Sequence, residues 1–452
     1  MTLVDQRPDS APPRPWRFPS FERTRLDSGL QLLVCHQPGR PLAAARLVLD
    51  GGAITEPAGR AGVALLAARA LPEGTESLDA FELAEAMEGM GAEIRGEVSY
   101  DSMQVRMDVP VTRLGPALAL FGDVVRRPGF RPGEVERLRK ERLDQLAQEQ
   151  AVPGALAARA FEGAVFVADS PYARSIGGQV ETVEGLDTAA IESFYRSRID
   201  ASAATLVVVG DVAGVDIAGI AADAFGQWPV DNVGQSTPVV DARDEPTRVV
   251  LVDRAGSVQS TLTIGHAGPP RRTPDYVPID MLAMCLGGVF GSRLNLKLRE
   301  EKGYTYGAFA GFDFRRHGGT FSAQTAVQTE VTADAVADAV AEIARTAESG
   351  IPEEELASTR EYSVGVFPIA YERPDAVAHG LADLVVHGLA DDWHDSVRSE
   401  MAAVSSEQVT KAAADHLHPD RMAIVVVGDA AAVRPGLEAA GLGSVEVREA
   451  GV

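Results

Sequence analysis

Two of the eight histidines stand at a spacing that could hold a metal ion. His379, Asp383 and His387 follow one another at intervals of four residues. On an uninterrupted helix these residues would share one face, and imidazole and carboxylate groups are common zinc ligands. Gly380 and Gly388 weaken the predicted helix, and the residues between them are mostly apolar. We therefore expect structural or surface histidines here and no metal site.

A second segment, Gly291–Ala310, reads GSRLNLKLREEKGYTYGAFA and combines charged and aromatic residues. Its pattern predicts a helix over Leu294–Glu301 and a helix stop at Lys302-Gly303. A strand is predicted over Tyr304–Ala310. The segment therefore predicts a helix and a strand joined by a tight turn.

Arg299 at the end of this helix and Tyr306 just inside the strand can converge after the turn. Together they would offer a fixed cation and a phenolic donor, which suit a peptide carbonyl and a developing oxyanion. The same residues also fit a purely structural role. In that role Arg299 pairs with Glu300 or Glu301 on a solvated face, and Tyr306 packs in a core.

The elements that must position these residues occur twice along the chain. The sequence Ala204–Asp211 (ATLVVVGD) returns as Met422–Asp429 (MAIVVVGD), 218 residues later. In each copy a polar helix, predicted over 186–197 and 405–416, precedes this buried strand. Upstream, Ala45–Asp50 lies roughly over Ser260–Gly265, and both read as strands. A period this long excludes a solenoid of short repeats, so the chain contains a duplicated domain.

Each half is long enough for its own core, and strands and helices come in runs, which favours an α+β fold over a doubly wound sheet. Strands are predicted over 29–36 and 43–49, and further helices over 61–71, 134–150 and 332–348. The polar, proline-containing stretch 231–247 suits a linker. The predicted organisation is a disordered lead-in (1–19), an N-terminal α+β half (20–230), the linker (231–247) and a C-terminal α+β half (248–452).

Charge and composition limit the partners of the chain. Its 452 residues carry 42 Lys and Arg against 65 Asp and Glu, a formal charge of -23. Such a field repels phosphate backbones, so we expect no nucleic-acid partner. No apolar run reaches the length of a membrane span, and the N-terminus lacks the apolar region of a signal peptide. With only Cys35 and Cys285, both in apolar runs, the cytoplasm is the expected location.

A helix predicted near residue 65, together with the duplication, carries a resemblance to a known family. The segment Gly62–Thr75 reads GVALLAARALPEGT. It resembles the inverted-zincin metallopeptidases of the pitrilysin and insulysin superfamily, which includes mitochondrial processing peptidase. Active members carry His-x-x-Glu-His on this helix, where two imidazoles bind zinc and the glutamate is the general base. The resemblance implies a pair of homologous α+β halves that form one side of a clam shell.

The matched positions in this chain cannot perform that chemistry. The flanking glycines place the pattern on residues 65–69. Leu65 and Arg69 stand in place of the two histidines, and Ala68 stands in place of the glutamate. Leucine and alanine offer no ligand or base, and arginine has no lone pair for a metal. Glu149 and Glu162 lie near the expected third ligand. The resemblance thus implies no cofactor in this chain, and no peptide cleavage by this chain alone.

The segment Gly291–Ala310 is similar to the substrate-binding element of the same family. There, an arginine and a tyrosine seven residues apart reach the active chamber, and Arg299 and Tyr306 match them. Tyr304, on the same predicted strand face, is a weaker candidate. In two-subunit bacterial members one subunit carries the zinc motif, and the second lacks it but keeps this Arg and Tyr.

The resemblance implies that this chain is the second subunit of a heterodimeric zinc metalloendopeptidase. A homologous partner would supply zinc and the general base, while Arg299 and Tyr306 orient an unfolded peptide substrate. Two other classes of function are open. The chain could be a structural scaffold subunit, or a catalytically inert module that binds peptides without cutting them.

Overall fold

The computed structural model describes residues 14–226, 228 and 238–449, whose strands form two six-stranded mixed sheets. The strands of the first sheet are β1 (Phe21–Arg25), β2 (Gln31–His36), β3 (Leu42–Asp50), β4 (Glu93–Val98), β5 (Ser102–Pro110) and β6 (Ala204–Gly210). The strands of the second sheet are β7 (Arg248–Asp253), β8 (Gln259–Gly268), β9 (Ala308–Arg315), β10 (Gly318–Gln328), β11 (Ala423–Gly428) and β12 (Ser444–Glu449). The spatial orders are β1-β2-β6-β3-β5-β4 and β12-β7-β11-β8-β10-β9. The fold is α+β, as the sequence predicts.

Helices cover both sheets. Those of the first half are α1 (Val63–Ala70), α2 (Ala80–Gly89), α3 (Leu114–Arg126), α4 (Pro132–Glu149), α5 (Pro153–Val165), α6 (Val180–Glu184), α7 (Thr188–Arg196) and α8 (Ile217–Phe225). Those of the second half are α9 (Tyr276–Ala283), α10 (Thr332–Ser349), α11 (Glu353–Val366), α12 (Pro374–His387), α13 (Trp393–Ala403), α14 (Ser406–His416) and α15 (Ala430–Ala439). Two π-helices, Met284–Gly288 and Asn295–Glu301, lie between α9 and β9.

The predicted duplication is confirmed by the matching order of five strands in each sheet, whereas the sixth strands, β1 and β12, differ in direction relative to their neighbours. The repeated GD-ending segments are β6 and β11, each the third strand of its sheet and buried throughout. Strands buried on both faces read as continuous apolar runs, which explains why this segment was recognisable. The helices before them, α7 and α14, begin where Asp187 and Ser405 accept hydrogen bonds from Ala190 and Gln408 backbone N–H groups.

The upstream repeat is shifted by two residues from the sequence alignment. Ala45 pairs with Val208 in the first sheet, and Leu262 pairs with Val426 in the second. Because Val208 and Val426 are equivalent, Ala45 corresponds to Leu262 and not to Ser260. A shift of two keeps every side chain on the same face of the sheet, so the apolar alternation alone could not detect it.

The two halves exchange one helix each. The apolar face of α5, including Leu156 and Phe161, packs on Val250 and Val425 of the second sheet. In return, α12 packs on β3 and β6 of the first sheet, with Leu381 among its contact residues. Each sheet is therefore covered on one face by helices of its own half and on the other by a single helix of the other half. Burial of apolar surface on both sides of each sheet holds the halves together.

The ends of the predicted halves also contribute contacts. Residues 1–13 of the predicted lead-in lie outside the described residues, whereas Trp16 and Phe18 pack against Tyr371 at ring-centroid distances of 5.9 and 5.1 Å. Of the predicted linker, 231–237 lies outside the described residues, and Ala242 forms an isolated bridge with Phe166. Within the described ranges, no helix has both the length and the apolar character needed to cross a bilayer.

Candidate functional site

The helix α1 carries the three positions of the degenerate zinc motif. Gly62, with a φ of 97°, precedes the helix, and the buried carboxylate of Glu56 accepts hydrogen bonds from Gly62 and Ala64 N–H groups at 3.0 and 2.9 Å. These bonds satisfy two donors at the start of the helix. Leu65 is half-buried and Ala68 is fully buried. The helix predicted from the sequence is thus present, and neither Leu65 nor Ala68 offers a metal ligand.

Arg69 places a guanidinium where the last histidine of the motif would stand. Its Nη1 donates to Gln145 Oε1 on α4 at 2.9 Å. Burial, followed by the neighbouring charge of Arg142, lowers the pKa of Arg69. A guanidinium has no lone pair for a metal, and a neutral amide is a poor zinc ligand. The residues present here do not fit zinc.

The acidic residues proposed as remnants of a third ligand are in ion pairs. Glu149 Oε1 lies 2.6 Å from Arg142 Nη1, and Arg159 lies 3.4 Å from the other carboxylate oxygen. Glu162 instead pairs with Arg315 of the second half at 2.5 Å. The α4 residue that faces Arg69 is Gln145, which sequence reasoning missed. Its spacing from Leu138, Arg142 and Glu149, on one face of α4, was the available signal.

His379, Asp383 and His387 lie on α12 and differ in their exposure to solvent. The helix continues through Gly380 and ends after His387, where Gly388 adopts a left-handed conformation, so the predicted interruption is absent at Gly380 and present at Gly388. Gly380 leaves room for the neighbouring ring, since a Cβ added there would lie 2.8 Å from Tyr371. His379 and Asp383 form an exposed pair 3.6 Å apart, and His387 is largely buried, which lowers its pKa. No group of three or more His, Cys, Asp or Glu residues in the described part of the chain is placed to hold a metal ion.

The second candidate region follows the π-helix Asn295–Glu301. This element lies where a regular helix over Leu294–Glu301 was predicted, and Arg299 is on its last turn. The Arg299 guanidinium carbon lies 4.1 Å from the centroid of the exposed Phe290 ring, and Nε lies 3.6 Å from Glu300 Oε1. A cation over an aromatic face is attracted to it, and the contact with Glu300 is the one expected if Arg299 has a structural role.

Tyr306 projects from the loop before β9. The predicted strand over Tyr304–Ala310 is wrong in its first half, because β9 begins only at Ala308. Tyr306 is 96% exposed, so core packing does not account for it. Tyr304 does not share its surroundings, since it is half-buried against the core of the second half. None of the described contacts joins the Arg299 and Tyr306 side chains directly.

Polar side chains fix the backbone beneath Tyr306. Buried Asn295 accepts from the Ala308 N–H and donates to the Ala308 carbonyl, both at 2.9 Å. Thr325 Oγ1 lies 2.9 Å from both Thr305 Oγ1 and the Gly307 carbonyl oxygen. These bonds replace the strand ladder that the loop lacks. Sequence reasoning missed this set, although a polar Asn at a core-facing position of the predicted helix was a usable signal.

Comparison with known proteins finds family models that match each half of the chain. A family model described as insulinase (peptidase family M16) matches residues 32–167, and one described as the peptidase M16 inactive domain matches residues 185–362. An uncharacterized zinc protease of Mycobacterium tuberculosis is 24% identical over 353 residues, which cover 77% of this chain and 80% of that protein. The non-peptidase homolog YmxG of Helicobacter pylori is 20% identical over 336 residues, covering 74% and 76% of the two chains.

Solved structures share the whole fold. A peptidase M16 inactive domain from Pseudomonas fluorescens superposes with a TM-score of 0.84 and 23% identity, covering 91% of this chain and 98% of that one. A protease from Helicobacter pylori superposes with a TM-score of 0.85 and 18% identity, covering 91% and 100%. The two family models together match most of the sequence, and the chain belongs to the insulinase-type peptidase family M16.

Proposed function

We propose that this chain is the non-zinc-binding subunit of a heterodimeric zinc metalloendopeptidase. In this proposal a homologous partner that carries the intact motif supplies zinc and the general base. This chain closes the chamber and orients an unfolded peptide with Arg299 and Tyr306. The observation that carries the proposal is the full exposure of Tyr306 on a loop whose backbone is fixed by buried polar bonds.

The chemistry assigned to this chain is donation of positive charge and hydrogen bonds. The Tyr306 hydroxyl can donate to a peptide carbonyl, and the Arg299 guanidinium can stabilise negative charge that develops on its oxygen. Phe290 contacts Arg299, and buried hydrogen bonds fix the backbone next to Tyr306, which lowers the cost of bringing the two groups to the substrate. Zinc in the partner would activate the attacking water.

The first experiment combines this chain with a homologue that carries His-x-x-Glu-His and measures cleavage of a quenched peptide library by each chain alone and by the mixture. We expect cleavage only in the mixture, and its loss when a chelator is added. Arg299→Ala and Tyr306→Phe should each lower turnover about 100-fold, the scale of one lost transition-state donor. Tyr362→Phe, at another exposed tyrosine, is the matched control and should leave turnover unchanged.

A second candidate function is a catalytically inert peptide-binding or scaffold protein. The contact between Arg299 Nε and Glu300 Oε1, at 3.6 Å, favours it, since this is the pairing expected if Arg299 has a structural role. The same experiment separates the two functions. Failure to form a complex, with no cleavage by the mixture, would reject the heterodimeric peptidase and leave the inert function.

A further inference from the structure

We propose that the groove beside Tyr306 binds an extended, uncharged segment of a peptide. The inference rests on the peptide-orienting role proposed above and adds the class of side chain that the site accepts. An open groove of about 500 Å³ lies between α5 and the loop before β9. Its volume falls in the range of ligand-binding clefts.

The groove exists because one helix covers only part of a sheet face. On that face of the second sheet, α5 packs against β7, β11 and β8. The neighbouring part of the face, on β8, β10 and β9, presents Thr261, Gln324 and Phe309 to the groove, and Phe309 is 67% exposed. Gly154 and Ala158 form the α5 side, where short residues leave room for an occupant. Tyr306 stands at the opposite side.

The lining contains no charged residue. All thirteen residues that line the groove are glycine, alanine, leucine, threonine, glutamine, tyrosine or phenylalanine. This is unusual in a chain that is 24% charged and carries a net charge of -23. A charged side chain entering the groove would lose water without gaining an ionic partner, whereas threonine and glutamine can bond to a peptide backbone. The chemistry therefore selects an uncharged segment.

A larger groove on the same half shows the contrast. About 670 Å³ lies between the π-helix Asn295–Glu301 and α10, and its lining is crossed by ion pairs. Arg293 and Glu355 are 2.9 Å apart there, and Lys297 and Glu301 are 2.6 Å apart. Those charges satisfy one another. Among the described residues of the uncharged groove, Gln259 and Thr261 make no side-chain hydrogen bond, and two aromatic rings are exposed, which suits an incoming peptide.

The test measures binding of labelled, unstructured peptides to the full chain by fluorescence anisotropy. The first probe contains only Ala, Ser, Thr and Leu, and two further probes carry Asp or Lys at the central positions. We expect the uncharged probe to bind about tenfold or more tightly than either charged probe. Ala158→Trp, which fills the groove from its exposed rim, should weaken binding of the uncharged probe about tenfold. Ala222→Trp, at an exposed position on α8, is the control and should bind like wild type.

A substitution that adds a charge to the groove tests the inference even if Ala158→Trp weakens binding only because it folds poorly. Ala326 lines the groove and is exposed, so Ala326→Asp should favour the Lys probe and disfavour the Asp probe. Equal binding of all three probes, or no effect of Ala158→Trp and Ala326→Asp, would overturn the inference.

Cleavage assays separate this inference from the heterodimer proposal. Cleavage by the mixture with no change of sequence preference in Ala326→Asp would reject the groove and keep the heterodimer. Selective binding by the isolated chain without cleavage by any mixture would reject the heterodimer and keep the groove.

Discussion

In each half, the edge strand of the sheet packs closely against a helix, and a glycine makes room for the contact. The two halves differ in whether the strand or the helix carries that glycine. In the first half the glycine is on the strand, since a Cβ added to Gly96 would lie 2.0 Å from the Ala68 carbonyl oxygen. In the second half the glycine is on the helix, since a Cβ added to Gly287 would lie 2.1 Å from the Ala310 backbone nitrogen. The close approach is therefore a packing requirement of the fold and does not depend on the zinc motif.

The connection that leads to each edge strand differs far more. In the first half three residues, 90–92, join α2 to β4. In the second half six residues, 302–307, join the π-helix to β9, and they carry Tyr306. Duplication thus preserved the packing frame in both halves, whereas the longer connection of the second half carries the exposed candidate Tyr306.

Restoring the zinc motif tests whether the first half can still bind zinc. Of the substitutions considered, it should have the largest effect on the free energy of unfolding. The triple variant Leu65→His, Ala68→Glu, Arg69→His places a carboxylate where Ala68 is fully buried beside Gly96. We expect the free energy of unfolding to fall by about 4 kcal/mol or more. Urea unfolding measures the loss, and equilibrium dialysis should detect no tightly bound zinc, because Gln145 faces the site. A stable variant with stoichiometric zinc would contradict the assignment.

The two glycines test whether the close contacts are equivalent. Gly96→Ala and Gly287→Ala should each lower the free energy of unfolding by about 3 kcal/mol, because the added methyl meets backbone atoms that cannot rotate away. Gly163→Ala in α5 is the control, since its added Cβ meets nothing within 4 Å, and it should be neutral or stabilising by up to about 1 kcal/mol. A large loss in only one of the two contact variants would show that the halves pack differently.

The longer connection can be loosened selectively. Asn295→Ala removes both partners of the Ala308 backbone and should cost about 2 kcal/mol. Amide hydrogen exchange should accelerate at 304–308 and stay unchanged at 90–92, where the short connection has no such side chain. Uniform acceleration in both halves would mean that Asn295 supports the whole fold and not the loop.

Sequence patterns predicted the parts of this molecule that depend on local order. The buried strands β6 and β11 and helices such as α4 and α14 were found within about two residues, because apolar periodicity and capping residues mark them. The exchange of α5 and α12 between halves was not predicted. It depends on which sheet a helix meets after folding, and an amphipathic pattern does not encode its partner.

The local structure around the candidate residues could not be predicted from the sequence. Tyr306 was placed in a strand because tyrosine and threonine favour strands, yet strands also need a ladder partner. At 304–307 side-chain bonds from Thr305 and Thr325 take the place of that ladder. Likewise Gln145 was overlooked because a neutral amide carries no metal signal. Its importance appears only when α4 is packed against α1 and brings it to Arg69.

The smallest expected effect concerns buried carboxyl groups that differ between the halves. Burial raises the pKa of Glu56 to about 8 in the first half and that of Asp280 to about 6 in the second. In both, the folded state holds a proton that the unfolded state releases, so stability falls as pH rises from the unfolded to the folded pKa. The window for Glu56 therefore extends to about pH 8, and that for Asp280 ends near pH 6.

Urea unfolding at pH 6 and pH 7 separates the two groups. Between these pH values wild type should lose at most about 1.4 kcal/mol through Glu56, the value of one proton over one pH unit. Glu56→Gln should abolish this loss, because an amide oxygen can still accept from Gly62 and Ala64 without titrating. Asp280→Asn is the matched control, and it should flatten the profile only at lower pH. If Asp280→Asn removed the loss above pH 6 instead, the helix start of the first half would not be the titrating element.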